Sequence, residues 1–399
     1  MRQTVLTIAV RLFVVLAGLI SSIATARYLG PEGRGVYFFW LSVAGLIVQF
    51  GNFGLHASNI YLHAKSGVDS ATLAANSLVV ALVAGLLLTG SAAVVLSLIQ
   101  HEGASDHVVL IAIFLLAVGG LYSLLGTNLL VAMGRLNEFN LLELFNKLLL
   151  LGVLLAITIL YPEPELLLLA IGLATGAAAG TVMWRLLHRA PMRRPNWGVF
   201  RQGLAYGVRA YLAACLAALM ARLNVFLLEP VITATDYGAW SIAMQMSDVM
   251  LIVPISIALV LLPKMMRSDS PRALIRANAL ITAIAMGALL LIFVLVGRQT
   301  IELLYGNAFE PAFDYVLWGA PGLMALAIIS ILSQYLATIG IPVILIGLWA
   351  VIAALHASLA SWLIPIHGAK GAMASQSTAY IIALLLIYIL IRHLKDKHA

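Results

Sequence analysis

The chain has 399 residues, of which 63% are hydrophobic and only 10% charged, with a formal net charge of +7. An ordinary soluble domain carries about 25% charged residues, and no water-soluble interior of this size hides so much apolar surface. The composition therefore excludes a soluble enzyme or binding domain and makes the lipid bilayer both solvent and partner.

A basic chain could also bind nucleic acid, but here the cations sort by side. Fifteen of the 23 Lys and Arg, among them Arg189, Arg193, Arg194, Arg267 and Lys395, fall on the side of the termini; Arg27, Arg34, Arg298 and Lys370 fall on the other. Basic residues in short loops stay cytoplasmic during insertion, so the excess is a topology signal. It places both termini in the cytoplasm and implies no nucleic-acid partner.

A spanning helix uses about 20 apolar residues, and the long charge-poor segments predict twelve of them. They lie near 4–26, 36–62, 74–99, 108–133, 139–161, 166–187, 203–228, 237–262, 277–297, 316–337, 341–363 and 369–391. The first imitates a signal peptide, with Arg2, an apolar run over 12–20 and the triplet Ala24-Thr25-Ala26. Its apolar stretch from Val5 to Ala26 is nevertheless long enough to cross, so it is read as a retained span. Thr4, Thr7, Arg11, Gly18, Ser22 and Thr25 form one polar stripe on it, at about 100° per residue. Gln49, Asn52, His56 and Asn59 form another on span 2. Asn140, Glu143, Asn146 and Lys147 share a face of span 5.

The longest polar, proline-bearing interruption covers 188–196, near the midpoint. It predicts a six-helix bundle over 1–188, a cytoplasmic linker over 189–202 and a second six-helix bundle over 203–399. A weak repeat agrees: an offset of 203 residues carries Gly35-Val36-Tyr37 to Gly238-Ala239-Trp240, and Glu165 to Gly368. Span 7 bears Arg209, Arg222 and the one cysteine, Cys215, which leaves no disulfide within the chain; no Cys/His spacing suggests a metal. Span 8 carries Ser241, Gln245 and Asp248 on one face. Residues 298–315 form the longest outer connection. Ile301, Leu304, Tyr305, Phe309 and Phe313 fall on one helical face there, which predicts an amphipathic segment lying along the interface.

Six ionisable side chains lie within spans: Arg11, Glu143, Lys147, Arg209, Arg222 and Asp248. Each costs about 2.5–3.5 kcal/mol at a lipid-facing helix centre, which favours the bundle interior or a watery cavity; Arg222, nearest an end, can instead snorkel. Polar residues in spans also serve as interhelical hydrogen-bond glue. Four polar faces, three of them charged, tip the balance toward a hydrophilic cavity. Glu143 and Lys147, at i and i+4, can neutralise each other, so Arg11, Arg209 and Arg222 outnumber Asp248. Surplus guanidinium suits an anion, because it stays charged and forks onto phosphate oxygens. The candidate cavity is therefore Arg11, Arg209, Arg222, Lys147, Gln49, Asn52 and Asn59, with Asp248 and Glu143 as candidate coupling groups. There is no H-E-x-x-H, G-x-S-x-G or phosphate loop, so neither an enzyme nor a cofactor is expected.

Several short motifs point further. Residues 26–37 read Ala-Arg-Tyr-Leu-Gly-Pro-Glu-Gly-Arg-Gly-Val-Tyr. They are followed by Ala132-Met133-Gly134-Arg135, by Tyr237-Gly238-Ala239-Trp240-Ser241 with Pro254 and Pro263, by Leu304-Tyr305-Gly306 with Phe309, and by Gly368-Ala369-Lys370-Gly371-Ala372. In this order they resemble Wzx-type polysaccharide flippases of the MOP exporter superfamily. The resemblance implies an all-α, MATE-like fold, two six-helix bundles around a central cavity that opens alternately to each side. It implies transport of a polyprenyl-diphosphate-linked oligosaccharide to the outer leaflet of the cytoplasmic (inner) membrane, by a monomer that works with polysaccharide polymerase machinery. Arg11 and Arg209 fit the family's cationic cavity positions. The chain lacks spans 13 and 14 of lipid II flippases and the span-1 acidic residue of many drug antiporters. Two alternatives stay open: a multidrug or cation antiporter of the same fold using Asp248, and a membrane polysaccharide polymerase or ligase.

Overall fold

The computed structural model describes residues 2–101, 103–188, 193–265, 271–338 and 343–396. Among them every regular element is helical. Ten helical stretches among the described residues are long and apolar enough to cross a membrane, and two of these are double length. One covers Phe13–Ser66, 54 residues, and the other Ile344–His393, 50 residues. Fifty residues of α-helix extend about 75 Å at 1.5 Å per residue, against a hydrocarbon core of about 30 Å, so neither can cross straight.

Both are interrupted at a glycine. Helix α1 (Arg2–Gly51) breaks at Gly30, with φ 68° and ψ −179°, before Pro31. Helix α12 (Val343–Asp396) breaks at Gly368, with φ 55° and ψ −133°. Positive φ is tolerated by glycine because it has no Cβ, and proline has no N–H to continue the ladder. Counting each as two crossings gives the twelve expected spans. The polar stretch 27–35, read from sequence as a loop, is instead helix on both sides of one glycine.

The chain forms two compact units, Met1–Tyr211 and Leu212–Ala399. The change of unit falls inside helix α7 (Trp197–Leu228) and not in the 189–202 segment expected as a linker. Residues 189–192 lie outside the described ones. Asn196 fixes where α7 starts: its Oδ1 accepts from Val199 N at 3.1 Å. Its backbone also pairs with Asn76 in both directions, at 2.7 and 3.0 Å. The first half of α7 then packs on its own unit. Tyr206 stacks on Tyr61 at 4.0 Å between centroids, and a Cβ on Gly207 would lie 3.0 Å from Gly54 O.

In the first unit α1 and α7 join α2 (Leu55–Ser66), α3 (Ser70–Leu98), α4 (His107–Ala132), α5 (Leu136–Leu160) and α6 (Pro164–Leu187). Pro164 starts α6 where no N–H is needed. Leu62, Leu73, Leu121, Leu125, Leu129 and Val182 form its core. The most extensive contact is α4 on α6, because glycines let the backbones meet. A Cβ on Gly119 would sit 2.9 Å from the Thr175 carbonyl, and one on Gly172 would sit 2.9 Å from Ala112 O.

The second unit contains α8 (Ala234–Met250), α9 (Ile252–Met265), α10 (Pro271–Tyr305), α11 (Pro311–Thr338) and α12. Thr233 caps α8 by accepting from Asp236 N at 3.1 Å. Met220, Ile329, Ile352, Ala379 and Ile387 form its core. Residues 298–315 depart from the amphipathic surface segment expected. Helix α10 runs on to Tyr305, a 3-10 turn covers Asn307–Phe309, and α11 begins at Pro311. Ile301, Tyr305 and Phe309 are buried in the protein. The apolar face was real, but protein covers it in place of lipid headgroups. Arg298 pairs there with Glu310 and Asp314, and Lys370 with Asp314.

Candidate functional site

Span 2 of the first unit is broken between Gly51 and Leu55, where Phe53 and Gly54 have φ of 48° and 74°. Such a break frees backbone groups that need partners. Asn52 supplies them: its Nδ2 donates to Gln49 O at 2.6 Å and Val48 O at 3.3 Å, and its Oδ1 accepts from Gly54 N at 2.8 Å. That oxygen also lies 3.0 Å from His56 Nδ1. Asn59 donates to Ser77 Oγ on α3 at 3.1 Å. Asn52 is 1% exposed and Asn59 3%. Both were expected to line a cavity, yet both are spent inside the unit, one mending a helix and one joining two. Gln49 is half-buried beside them.

Glu143 and Lys147 stand half-buried on α5, but no ion pair joins them. Their expected mutual neutralisation is therefore not made. Arg11 and Arg209 belong to α1 and α7, and their side chains lie outside the described residues.

Sequence reasoning missed one cation. Arg34, counted as a loop charge, is 5% exposed. It donates to Thr25 Oγ1 at 2.6 Å and lies 5.9 Å from the centre of the Tyr37 ring. Thr25 precedes the Gly30 break and Arg34 follows it, so this bond straps the two arms of α1 together. The available signal was Tyr37, one helical turn beyond Arg34.

The second unit holds a small polar pocket. Pro321 interrupts the hydrogen-bond ladder of α11, and a side chain from α12 repairs it. Gly322 N donates to Ser377 Oγ at 3.2 Å, and that hydroxyl donates to Trp318 O at 3.0 Å. An inserted hydroxyl of this kind is a recognised cause of a helix kink. Beside it lies a cavity of about 70 Å³ lined by Ala221, Asp248, Gly319, Gln376, Ser377 and Tyr380, among others. That is large enough to admit water. Asp248 pairs with Arg222 at 2.9 Å, their side chains 51% and 30% exposed. Arg222 was expected either to face a substrate or to snorkel. It instead holds the one acid of span 8, which reduces the cation surplus inferred from sequence.

Further along α7, Asn224 ties three crossings. Its Nδ2 donates to Ala372 O at 2.8 Å and its Oδ1 lies 3.2 Å from His356 Nε2. Asn224 and His356 are buried, as is Cys215. No cluster of metal-ligating side chains occurs among the described residues.

Known proteins place this arrangement. An inward-facing multidrug resistance MATE family transporter of the MOP superfamily superimposes with a TM-score of 0.73 at 15% identity, covering 97% of this chain and 96% of that one. The lipid II flippase MurJ, in an inward closed conformation, gives 0.70 at 13% identity, covering 98% and 87%. A MATE transporter of Vibrio cholerae gives 0.69 at 15% identity, covering 99% and 97%. These likenesses give the fold alone, and with ten helical stretches able to cross a membrane among the described residues it is that of a multi-pass membrane protein. No curated protein sequence matches the chain. The family of polysaccharide biosynthesis proteins matches residues 1–269. With two thirds of its length so matched, the chain belongs to the polysaccharide biosynthesis protein family.

Proposed function

We propose that this protein is a flippase. It moves a polyprenyl-diphosphate-linked oligosaccharide from the cytoplasmic to the outer leaflet of the inner membrane by alternating access, for surface polysaccharide assembly. The observation that carries the reading is the meeting, in one chain, of polysaccharide-biosynthesis family membership with a MOP exporter fold. Both termini face the cytoplasm by the loop charge asymmetry.

The chemistry follows from the ligand's charge. Arg11, Arg209 and Lys147 are the cations proposed to hold the diphosphate, since guanidinium forks onto phosphate oxygens. An inside-negative potential favours outward movement of an anion by about 2.3 kcal/mol per charge per 100 mV. Two charges give roughly 5 kcal/mol, enough to drive export without a coupling ion. A cation antiporter of this fold would use Asp248 as its carboxylate, and here that carboxylate is paired with Arg222. A polymerase or ligase would need catalytic groups in a large outer loop, whereas residues 298–315 are mostly helical, with Ile301, Tyr305 and Phe309 buried against the protein.

The test is deletion of the gene, followed by assay of surface polymer and of lipid-linked oligosaccharide trapped inside the cell. Loss of polymer with intracellular accumulation, rescued by the wild type and not by Arg11→Ala, is the expected result. Unchanged polymer with new sensitivity to cationic dyes would overturn the reading in favour of the antiporter.

A further inference from the structure

A groove between α9 and α10, apart from the pocket beside Asp248, has a volume of about 370 Å³, several times that of the pocket. Its walls are Ile257, Val260 and Leu261 from α9 and Leu274 from α10, and Lys264 stands at one end. The two polar wall residues turn back on their own helices. Ser256 Oγ donates to Ile252 O at 2.7 Å, and Asn278 Nδ2 donates to Leu274 O at 2.8 Å. The groove is thus lined as an apolar slot with a single cation. Beneath it Leu261 packs with Ile275 and Ile331 and closes the floor.

We infer that this groove binds an anionic phospholipid of the cytoplasmic leaflet, with the phosphate on Lys264 and one acyl chain laid along Val260 and Leu274. Three observations carry the assignment. Lys264 makes no ion pair with any described residue, and its side chain is exposed. It lies at the end of α9, on the side that the loop charges assign to the cytoplasm, where anionic headgroups and juxtamembrane cations meet. From Lys264 to Ser256 the slot runs two helical turns, about 12 Å at 1.5 Å per residue. That is close to the depth of one leaflet, half of a ~30 Å hydrocarbon core. A soluble anion would use the lysine and leave the apolar slot unfilled; a neutral lipid would fill the slot and ignore the lysine.

The experiment uses the full-length protein in detergent, supplemented with phosphatidylglycerol or phosphatidylcholine, with retained lipid counted by native mass spectrometry. Four proteins are compared: wild type, Lys264→Gln, Val260→Trp and Arg276→Gln. Val260 is exposed, so a larger side chain there fills the groove without entering the core. Arg276 is exposed on α10 but does not line the groove, so it controls for general surface charge. The wild type and Arg276→Gln are expected to retain phosphatidylglycerol over phosphatidylcholine. Lys264→Gln should lose it roughly fivefold, as removal of one juxtamembrane cation implies, and Val260→Trp should lose it by filling the slot. Undiminished retention in either of those two, or equal loss in Arg276→Gln, would overturn the site. Preferential retention of an added polyprenyl phosphate by the wild type would overturn the phospholipid as its occupant.

Discussion

The α4–α6 contact in the first unit and the α11–α12 contact in the second occupy matching places in chain order, and the 203-residue offset carries Gly119 onto Gly322. Each glycine marks a backbone-to-backbone approach: Gly119 against the Thr175 carbonyl, Gly322 against Ser377 Cα. Their surroundings differ. In the first unit Thr175 turns its hydroxyl onto Ile171 O within its own helix, at 2.8 Å. In the second, Ser377 reaches across to α11, where Pro321 has broken the ladder, and a water-sized cavity with the Arg222–Asp248 pair opens next to it. A repeat can thus keep its packing device in both copies while one copy gains a proline, an inserted hydroxyl and a polar cavity beside it.

The largest effect that would sharpen this comparison is steric. A Cβ on Gly322 would lie 2.5 Å from Ser377 Cα, and one on Gly119 would lie 2.9 Å from the Thr175 carbonyl carbon. Backbone atoms cannot swing aside, so each Gly→Ala variant is expected to lose about 1–3 kcal/mol, as overpacked sites do. Gly322→Ala should be the worse of the two. Melting of both in detergent checks this, and equal melting temperatures with wild type would mean that the helices slide apart freely.

The next effect is at the break in span 2. Asn52→Ala removes the groups that satisfy Gly54 N–H and Gln49 O, and buried unsatisfied groups cost about 1–3 kcal/mol. Hydrogen exchange at Gly54 and Leu55 should rise with the loss of stability. The corresponding break in span 8, at Leu251, uses an ordinary φ of −73° and has no such dependence on one side chain.

Smaller effects separate the two hydroxyls. Ser377→Ala should cost about 1 kcal/mol, the ordinary net value of a hydrogen bond. Thr175→Ala should stay within about 0.5 kcal/mol, because its bond is made within its own helix. The smallest effect on stability is the ion pair. Arg222 and Asp248 are partly exposed, so a double-mutant cycle with Arg222→Gln and Asp248→Asn should yield about 0–1 kcal/mol, shrinking with salt. Asp248→Asn should leave surface polymer intact; loss of polymer in that variant alone would return Asp248 to a coupling role.

Most crossings were legible because bilayer thickness writes itself directly into apolar run length. Helices α3 to α6 lie within a few residues of the spans read from hydropathy. What the sequence hid was three-dimensional. Residues 27–35 look like a loop because glycine, proline and charge cluster there, yet the Thr25–Arg34 bond lets the helix resume at once. Phe309 and Ile301 gave the right face but not what covers it. Asn52 and Asn59 fall on the polar stripe expected from spacing, but spacing alone cannot tell a side chain turned to a cavity from one bonded to Gly54 N or Ser77 Oγ. The partners of Pro321 and Asp248 lie 56 and 26 residues away along the chain, in Ser377 and Arg222, and no local pattern announces them.

The most direct measurement is flipping by the purified protein in proteoliposomes that carry a polyprenyl-diphosphate oligosaccharide in one leaflet. Its appearance in the other leaflet is read by a membrane-impermeant glycosidase. A flippase of this kind should speed that appearance over empty vesicles, faster still when the potential is negative on the loaded side. Appearance no faster than in empty vesicles, from protein that is folded and correctly inserted, would contradict the proposed function.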